Sequence, residues 1–268
     1  MISILIRNKN EAKSLDKTLK SIHAQHFNVP FEIVVVDDNS IDDSIDVANK
    51  YGCKVVHLNK PFTYGYAINF GVQHCQYEII LLLSSHNILI SNDFSEKLVN
   101  YFADPKVAAV RCTPISNIKQ VVQSLDSIIT IDKNNYSHSN DWQNLLIANC
   151  SAIRKKVAHE IIFNETIRSN EEKLWCLDIM ENGFSIISNT SCYFLYNKQN
   201  KTSALIRDLT SKYQIDGIEP KSIGSFLITL FKSIPWAFKI ALATWYNNIK
   251  IHTLTLLIPI KHRKGEYK

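Results

Sequence analysis

Three polar runs stand directly after apolar ones, and their residue types could bind an anion and handle a proton. Arg7, Asn8, Lys9, Asn10 and Glu11 follow ISILI; Asp37, Asp38, Asn39 and Ser40 follow FEIVVV; Ser84, Ser85, His86 and Asn87 follow EIILLL. Arg7 suits a fixed donor to an anionic ligand, and equally a surface ion pair with Glu11. Asp38 could accept hydrogen bonds from a nucleotide base or ribose, while Asp37, Asp38 and Asn39 also suit a turn with helix-capping duty. His86, close to Ser84, could act on a ligand or be a packed or capping histidine. Farther along, Glu171 and Glu172 form an acid pair. One of them could be a general base for a hydroxyl proton, or both could mark a helix start, where the macrodipole favours carboxylates.

The elements that would position these groups can be read from periodicity. Short apolar runs at 2–6, 31–36, 53–58, 78–83 and 107–112 predict buried strands. Helical spacing predicts helices from 11 to about 25 (Ala12, Leu15, Leu19, Ile22), after Ser40 and Asp43, over 64–76, and from Asn92 or Ser95 to 102. This alternation implies parallel β-α units with right-handed crossovers. In such sheets ligands bind outside the carboxyl ends of the strands, so the ends of the first, second and fourth predicted strands should meet at one cleft. Residues 113–145 are polar and irregular, as functional segments often are, and are expected on the acceptor side. The pattern then predicts a strand at 145–148, a helix at 151–160, a helix from Ser169 or Asn170 to about 182 stopped by Gly183, and strands at 186–188 and 192–196. From 203 onward the chain reads helical, broken by Pro220, Pro235 and Pro259.

Composition narrows the class. With 268 residues, 46% hydrophobic and 21% charged, the chain can bury a sizeable core, which excludes a mainly disordered, collagen-like or disulfide-scaffold protein. Its six cysteines form no C-x-x-C pair, which argues against a zinc cluster and for reduced thiols in a cytosolic protein. The first apolar run is too short for a signal peptide or membrane anchor. No G-x-G-x-x-G or Walker loop is present, and only seven glycines occur in all, which disfavours dinucleotide and P-loop readings. Net charge is +5, unevenly placed: residues 201–268 hold 11 Lys and Arg against 4 Asp and Glu. That tail also carries Phe226, Trp236, Phe238 and Trp245, with Lys232 and Lys239 between, and no run of spanning length. Such a basic, aromatic, amphipathic stretch fits an anionic membrane surface or packing on the body or a second copy.

The segments SILIRNKNE, FEIVVVDDNS, PFTYGYAINFGV, EIILLLSSHNI, VAAVRC, NCSAIRKKV, NEEKLW and ENGFSII, in that order over about 1–196, resemble family 2 glycosyltransferases of the GT-A fold. They most resemble bacterial rhamnosyltransferase-like members of surface polysaccharide assembly. The resemblance implies an α/β GT-A fold: a Rossmann-like, mostly parallel central sheet flanked by helices, with a C-terminal helical tail. It implies a glycosyltransferase domain over 1–200 (nucleotide-binding half 1–112, acceptor and catalytic half 113–200) and a basic amphipathic helical tail over 201–268. Nucleotide-sugar contacts carry over onto Arg7, Asn10, Glu11, Asp37 and Asp38, with Asp38 at the base, and onto Asn69 and Arg154 near the donor. The family's metal-binding D-x-D falls on Ser84, Ser85 and His86, resembling a subgroup with S-x-H, and a late His is replaced by Tyr196. Two alternatives follow for the diphosphate charge. Either a divalent metal, Mg²⁺ or Mn²⁺, binds with His86 as ligand, or a protonated or donating His86 works with Ser84 and Arg7 and activity falls at high pH. The base of the family's E-D pair falls on Glu172, preceded by Glu171.

What this implies is inverting transfer from a nucleotide-diphosphate sugar to a hydroxyl of a glycan or lipid-linked acceptor, with Glu172 as base. The expected setting is the cytoplasm, peripheral on the inner face of the cytoplasmic membrane, with a homodimer through the C-terminal helices as an alternative use of the tail. A non-catalytic nucleotide-sugar-binding or scaffold subunit is the competing class. A nucleotidyltransferase would need a Gly-rich phosphate loop after the first strand, and a nucleic-acid partner would need a solvated rather than apolar tail.

Overall fold

The computed structural model describes residues 1–91, 93–115, 128–167 and 169–196. The tail expected over 201–268, and Asn92 as a helix start, lie outside the described residues.

The chain opens with β1 (Ile2–Asn8), α1 (Ala12–His23), β2 (Phe31–Asp37), α2 (Ser44–Lys50), β3 (Lys54–His57), α3 (Tyr64–His74) and β4 (Ile79–Ser84). These follow the predicted elements to within a residue or two. The β1, β2 and β4 strands are buried on both faces, which is why they read as unbroken apolar runs. There follow β5 (Asn87–Leu89), α4 (Phe94–Tyr101), β6 (Val107–Arg111), β7 (Thr113–Ile115), β8 (Ile129–Ile131) and the one-turn α5 (His138–Asp141). The last described elements are β9 (Cys150–Arg154), α6 (Lys155–Glu160), α7 (Glu171–Glu181), β10 (Ser185–Ser188) and β11 (Tyr193–Tyr196).

Eight strands form one sheet in the order β3-β2-β1-β4-β9-β6-β10-β8. It is mostly parallel; β9 runs antiparallel between β4 and β6, and β8 antiparallel at the edge. The sheet takes strands from both sides of residue 112. Alternate side chains feed two cores. Ile4, Ile6, Ile33 and Val35 meet Leu15, Leu19, Ile22, Phe94 and Leu98 of α1 and α4. Leu5, Val34 and Val36 meet Ile68, Val72, Val157, Trp175 and Ile179 of α3, α6 and α7. Each such fully buried side chain contributes roughly 1.5–3 kcal/mol relative to exposure. Gly71 lets α3 lie close on β1: a Cβ there would stand 2.5 Å from a Leu5 methyl.

A second sheet, β5-β11-β7, joins the carboxyl end of β4 to the end of the described chain. The Cys112, Cys150 and Cys192 thiols meet beneath it. All six cysteines are free and buried.

Two local expectations are corrected. Residues 145–148 are not a strand, and the segment expected as a helix from 151 begins as β9, the helix starting only at Lys155. Small Ser151 and Ala152 are buried between two neighbouring strands, where tertiary packing overrides their weak strand preference.

Candidate active site

Register places the polar strand ends abreast. Asn8 lies opposite Asp37 on one side of β1, and Arg7 opposite Ser84 on the other. The chain steps from β1 to β2 and β3 in one direction, then returns to place β4 on the far side of β1. This makes the β1/β4 boundary the switch point where such sheets hold ligands. A cavity of about 380 Å³ opens there, within the range of small-molecule sites. Arg7, Glu11, Asp38, Ser84, Ser85, His86, Glu171 and Glu172 line it.

The strand-end wall is held by backbone and buried polar groups. The Arg7 guanidinium donates through Nη2 to the Ala148 carbonyl at 2.5 Å and lies over the Tyr64 ring, 5.5 Å from its centre. Its Nε and Nη1 are buried and make no hydrogen bond within the described residues. Asp38 accepts from Lys9 Nζ at 2.7 Å. The Asn149 carbonyl accepts from the Ser84 N–H (2.8 Å) and Asn87 Nδ2 (2.6 Å), while Thr18 Oγ1 donates to the Ser85 carbonyl. Pairing of Tyr196 with Asn87 across β11 and β5 brings the Tyr196 ring edge-on to His86, 5.1 Å between centres.

The opposite wall arrives by docking over a long sequence distance. Asn69 on α3 donates to the Phe163 carbonyl and to Glu165 Oε1, and accepts from the Phe163 N–H at 2.9 Å. Gly65 permits the contact: a Cβ there would stand 2.1 Å from the Asn164 carbonyl oxygen. Phe163 stacks on Trp175 of α7 at 4.7 Å, and the Trp175 indole N–H donates to the Ile161 carbonyl. The loop then turns through Asn170 in the left-handed region (φ 63°) and enters α7 at the acid pair. Glu171 is 2% exposed; Glu172 is half-buried.

Burial raises both carboxyls above the ordinary range. For Glu171 the charge of Glu172 adds to it and Arg7 opposes, leaving it at about 8. For Glu172, backbone N–H groups of Glu172 itself and Ala148, with Lys173 and Arg7, oppose the rise. Two adjacent buried acids disfavour double ionisation. The pair thus carries one charge more readily than two near neutrality, and Glu172 is its more exposed member.

Four expected contacts are not cavity-lining. Asp37 is fully buried and organises the loop after β2, accepting from Asn8 Nδ2, Ser40 N–H and Ser40 Oγ. Asn10, in the left-handed region, ties the two strand-end loops together through Ser40 and the Ile41 N–H. Asn69 is committed to the 163–165 loop. Arg154 sits at the opposite end of β4, paired in register with Ile79, and donates to the Val107, Phe102 and Asp104 carbonyls. In their place the cavity gains Lys9, Phe62, Tyr64, Asn149 and Ser169. Of these, Lys9 carried a signal, standing in the polar run directly after β1.

An open α/β sheet with its cleft at this switch point, closed by a long-range acidic helix start, is the GT-A architecture. Residues 3–162 match the profile described as Glycosyl transferase family 2, and the chain belongs to that family. The amylovoran biosynthesis glycosyltransferase AmsE of Erwinia amylovora is 28% identical over 114 residues, 40% of this chain and 42% of that protein. An undecaprenyl-phosphate 4-deoxy-4-formamido-L-arabinose transferase of Pseudomonas savastanoi is 33% identical over 92 residues, 31% of this chain and 27% of that one. The chain thus spans less than half the length of either. A mannosyltransferase of Pyrobaculum calidifontis, solved with GDP-Man and Mn²⁺, shares the fold with a TM-score of 0.64 at 17% identity, over 96% of this chain and 78% of that one.

The metal position does not match a metal. Ser84, Ser85 and His86 supply two hydroxyls and an imidazole, with Tyr196 at the imidazole's side, where Mg²⁺ wants carboxylate oxygens and softer ions several strong donors. Among the described residues no group of three or more His, Cys, Asp or Glu converges on a common point.

Proposed function

We propose that the chain transfers a glycosyl group, with inversion, from a nucleoside-diphosphate sugar to a hydroxyl of a glycan or lipid-linked acceptor in bacterial surface polysaccharide synthesis. The observation that carries this is the single cavity shared by the β1, β2 and β4 ends and the acid pair of α7. The nucleotide lies along Asp38 and the strand ends, with its diphosphate toward Arg7 and His86. The acceptor oxygen bonds to the anomeric carbon as the bond from that carbon to the diphosphate oxygen breaks, and the electron pair leaves with the diphosphate. Glu172 takes the acceptor hydroxyl's proton. Glu171, neutral beside it, keeps a second negative charge away from the base. Fixed donors of the strand-end wall stabilise charge gathering on the leaving group.

The test is transfer from UDP-, dTDP- and GDP-sugars to lipid-linked or glycan acceptors. Glu172→Gln should lower kcat by about 10²–10⁴-fold with donor binding kept; near-normal turnover would overturn the base assignment. The missing D-x-D favours a second reading, a subunit that binds donor without turning it over, and release of nucleotide with acceptor separates the two. A peripheral position on the inner membrane face rests on the composition of 201–268. Among the described residues no helix is long and apolar enough to cross a membrane. Failure of the intact chain to float with anionic liposomes at low salt would remove this part.

A further inference from the structure

We infer that side-chain cations, with Arg7 as the fixed anchor and Lys9 as a second, movable charge, neutralise the donor's diphosphate without a divalent ion. This rests on the glycosyl-transfer reading and deepens it. The first observation is the donor set at the end of β4, which holds no carboxylate and does not suit a metal. The second is what stands next to it. Arg7 is the register partner of Ser84, so its guanidinium occupies the same end of the sheet. One nitrogen and one face of that group are fixed by the Ala148 carbonyl and the Tyr64 ring. Its Nε and Nη1 are buried and lack an acceptor among the described residues, and no carboxylate there lies within ion-pair distance of it. Buried charged donors left unsatisfied are unfavourable. Nε and Nη1 face different edges of the planar group, so each can meet a separate oxygen, and a ligand diphosphate carries several.

Lys9 complements this. Its side chain is 61% exposed, and its ammonium pairs with Asp38, the residue expected to meet the nucleotide. The cation end of the pair stands in solvent while the Asp38 end is buried, so Lys9 is the partner that can exchange once another group meets Asp38. When Asp38 engages the nucleotide, Lys9 is released on a flexible stem toward the adjacent phosphates. The wall therefore trades one internal ion pair for two ligand contacts, with no ion recruited from solution.

The test is calorimetric binding of UDP, GDP and dTDP to the full chain, each in EDTA and in Mn²⁺ or Mg²⁺. One of them should bind with a Kd that agrees within about threefold across the conditions. Arg7→Met should weaken that binding by more than about tenfold while leaving the weaker affinity for the matching nucleoside unchanged, and Lys9→Met should weaken it by a smaller factor and flatten its salt dependence. Because Arg7 also supports the Ala148 carbonyl, Arg7→Lys and the exposed Lys9→Met decide the matter if Arg7→Met melts early. Binding that appears only with Mn²⁺ or Mg²⁺ would overturn the inference and leave glycosyl transfer standing. Wild-type affinity in both Arg7→Lys and Lys9→Met would also overturn it. Absence of binding to all three nucleotides in every condition would overturn both readings.

Discussion

The two walls of the cavity are built differently. The strand-end wall comes from residues that neighbour one another through ladder register: Arg7 beside Ser84, Asn8 beside Asp37. The acidic wall comes from a loop and helix joined to the body over long sequence distances: Asn69, nearly a hundred residues earlier, clasps Phe163 and Glu165, and Trp175 and Ile179 pack into the core. The first wall is as rigid as the sheet. The second is as well placed as side-chain packing and the Asn69 clasp make it. Substitutions at the dock should therefore move catalysis without touching the donor, and those at the strand ends should do the reverse.

The sharpest way to break this contrast, after Glu172→Gln, is Gly65→Ala. Its Cβ would overlap the Asn164 carbonyl, displacing the loop that carries the acid pair. Turnover should fall by about 10²-fold, as for an ångström-scale misplacement, while nucleoside diphosphate affinity in calorimetry stays within error. Lost donor affinity of the same size would show that the walls are not independent. Asn69→Ala comes next. It leaves the Phe163 N–H unpaired in a buried setting and should reduce stability by about 1–3 kcal/mol in urea unfolding, with a smaller loss of kcat than Gly65→Ala.

A third expectation concerns pH. Glu171 is held at about 8 when folded, well above its ordinary value. Because the unfolded chain releases this proton first, the stability it contributes is complete at acidic pH below the ordinary glutamate value and is lost as pH rises through about 8. The melting temperature should decline from pH 5 to pH 8, and Glu171→Gln should flatten that decline; an unchanged slope would remove Glu171 as its source. The smallest effect on chemistry is expected from Arg154→Ala. Three backbone carbonyls lose their donor, so melting temperature should drop, yet kcat and donor affinity should remain, because this residue lies at the far end of the sheet.

Sequence reading recovered the strand-end wall because its signals are local. Continuous apolar runs mark doubly buried strands, and the polar residues just beyond them mark the cleft. It placed Asp37 and Asp38 together, although packing divides them: the last residue of β2 is buried under its own loop and the next faces the cavity. It put Asn69 and Arg154 near the donor, while the structure ties Asn69 to Phe163 and the Glu165 carboxylate, and Arg154 to three backbone carbonyls, all from distant segments. The acid pair was visible as residues, but the reason for its position was not, since Gly65 and Asn69 announce nothing about a loop near 164. The strand at Cys150–Arg154 was hidden by small and polar residues that suit a strand only when flanked on both sides.

One detail of the strand-end wall bears on how such a molecule can change. Arg7, the Ser84 amide and the Asn87 side chain are anchored to the carbonyls of Ala148 and Asn149, not to their side chains. Main-chain oxygens persist through almost any replacement. Position 149, half-buried and facing the cavity, can therefore drift in identity while the scaffold around it stays in register, offering evolution, or a saturation library, a place to retune sugar preference without dismantling the machinery.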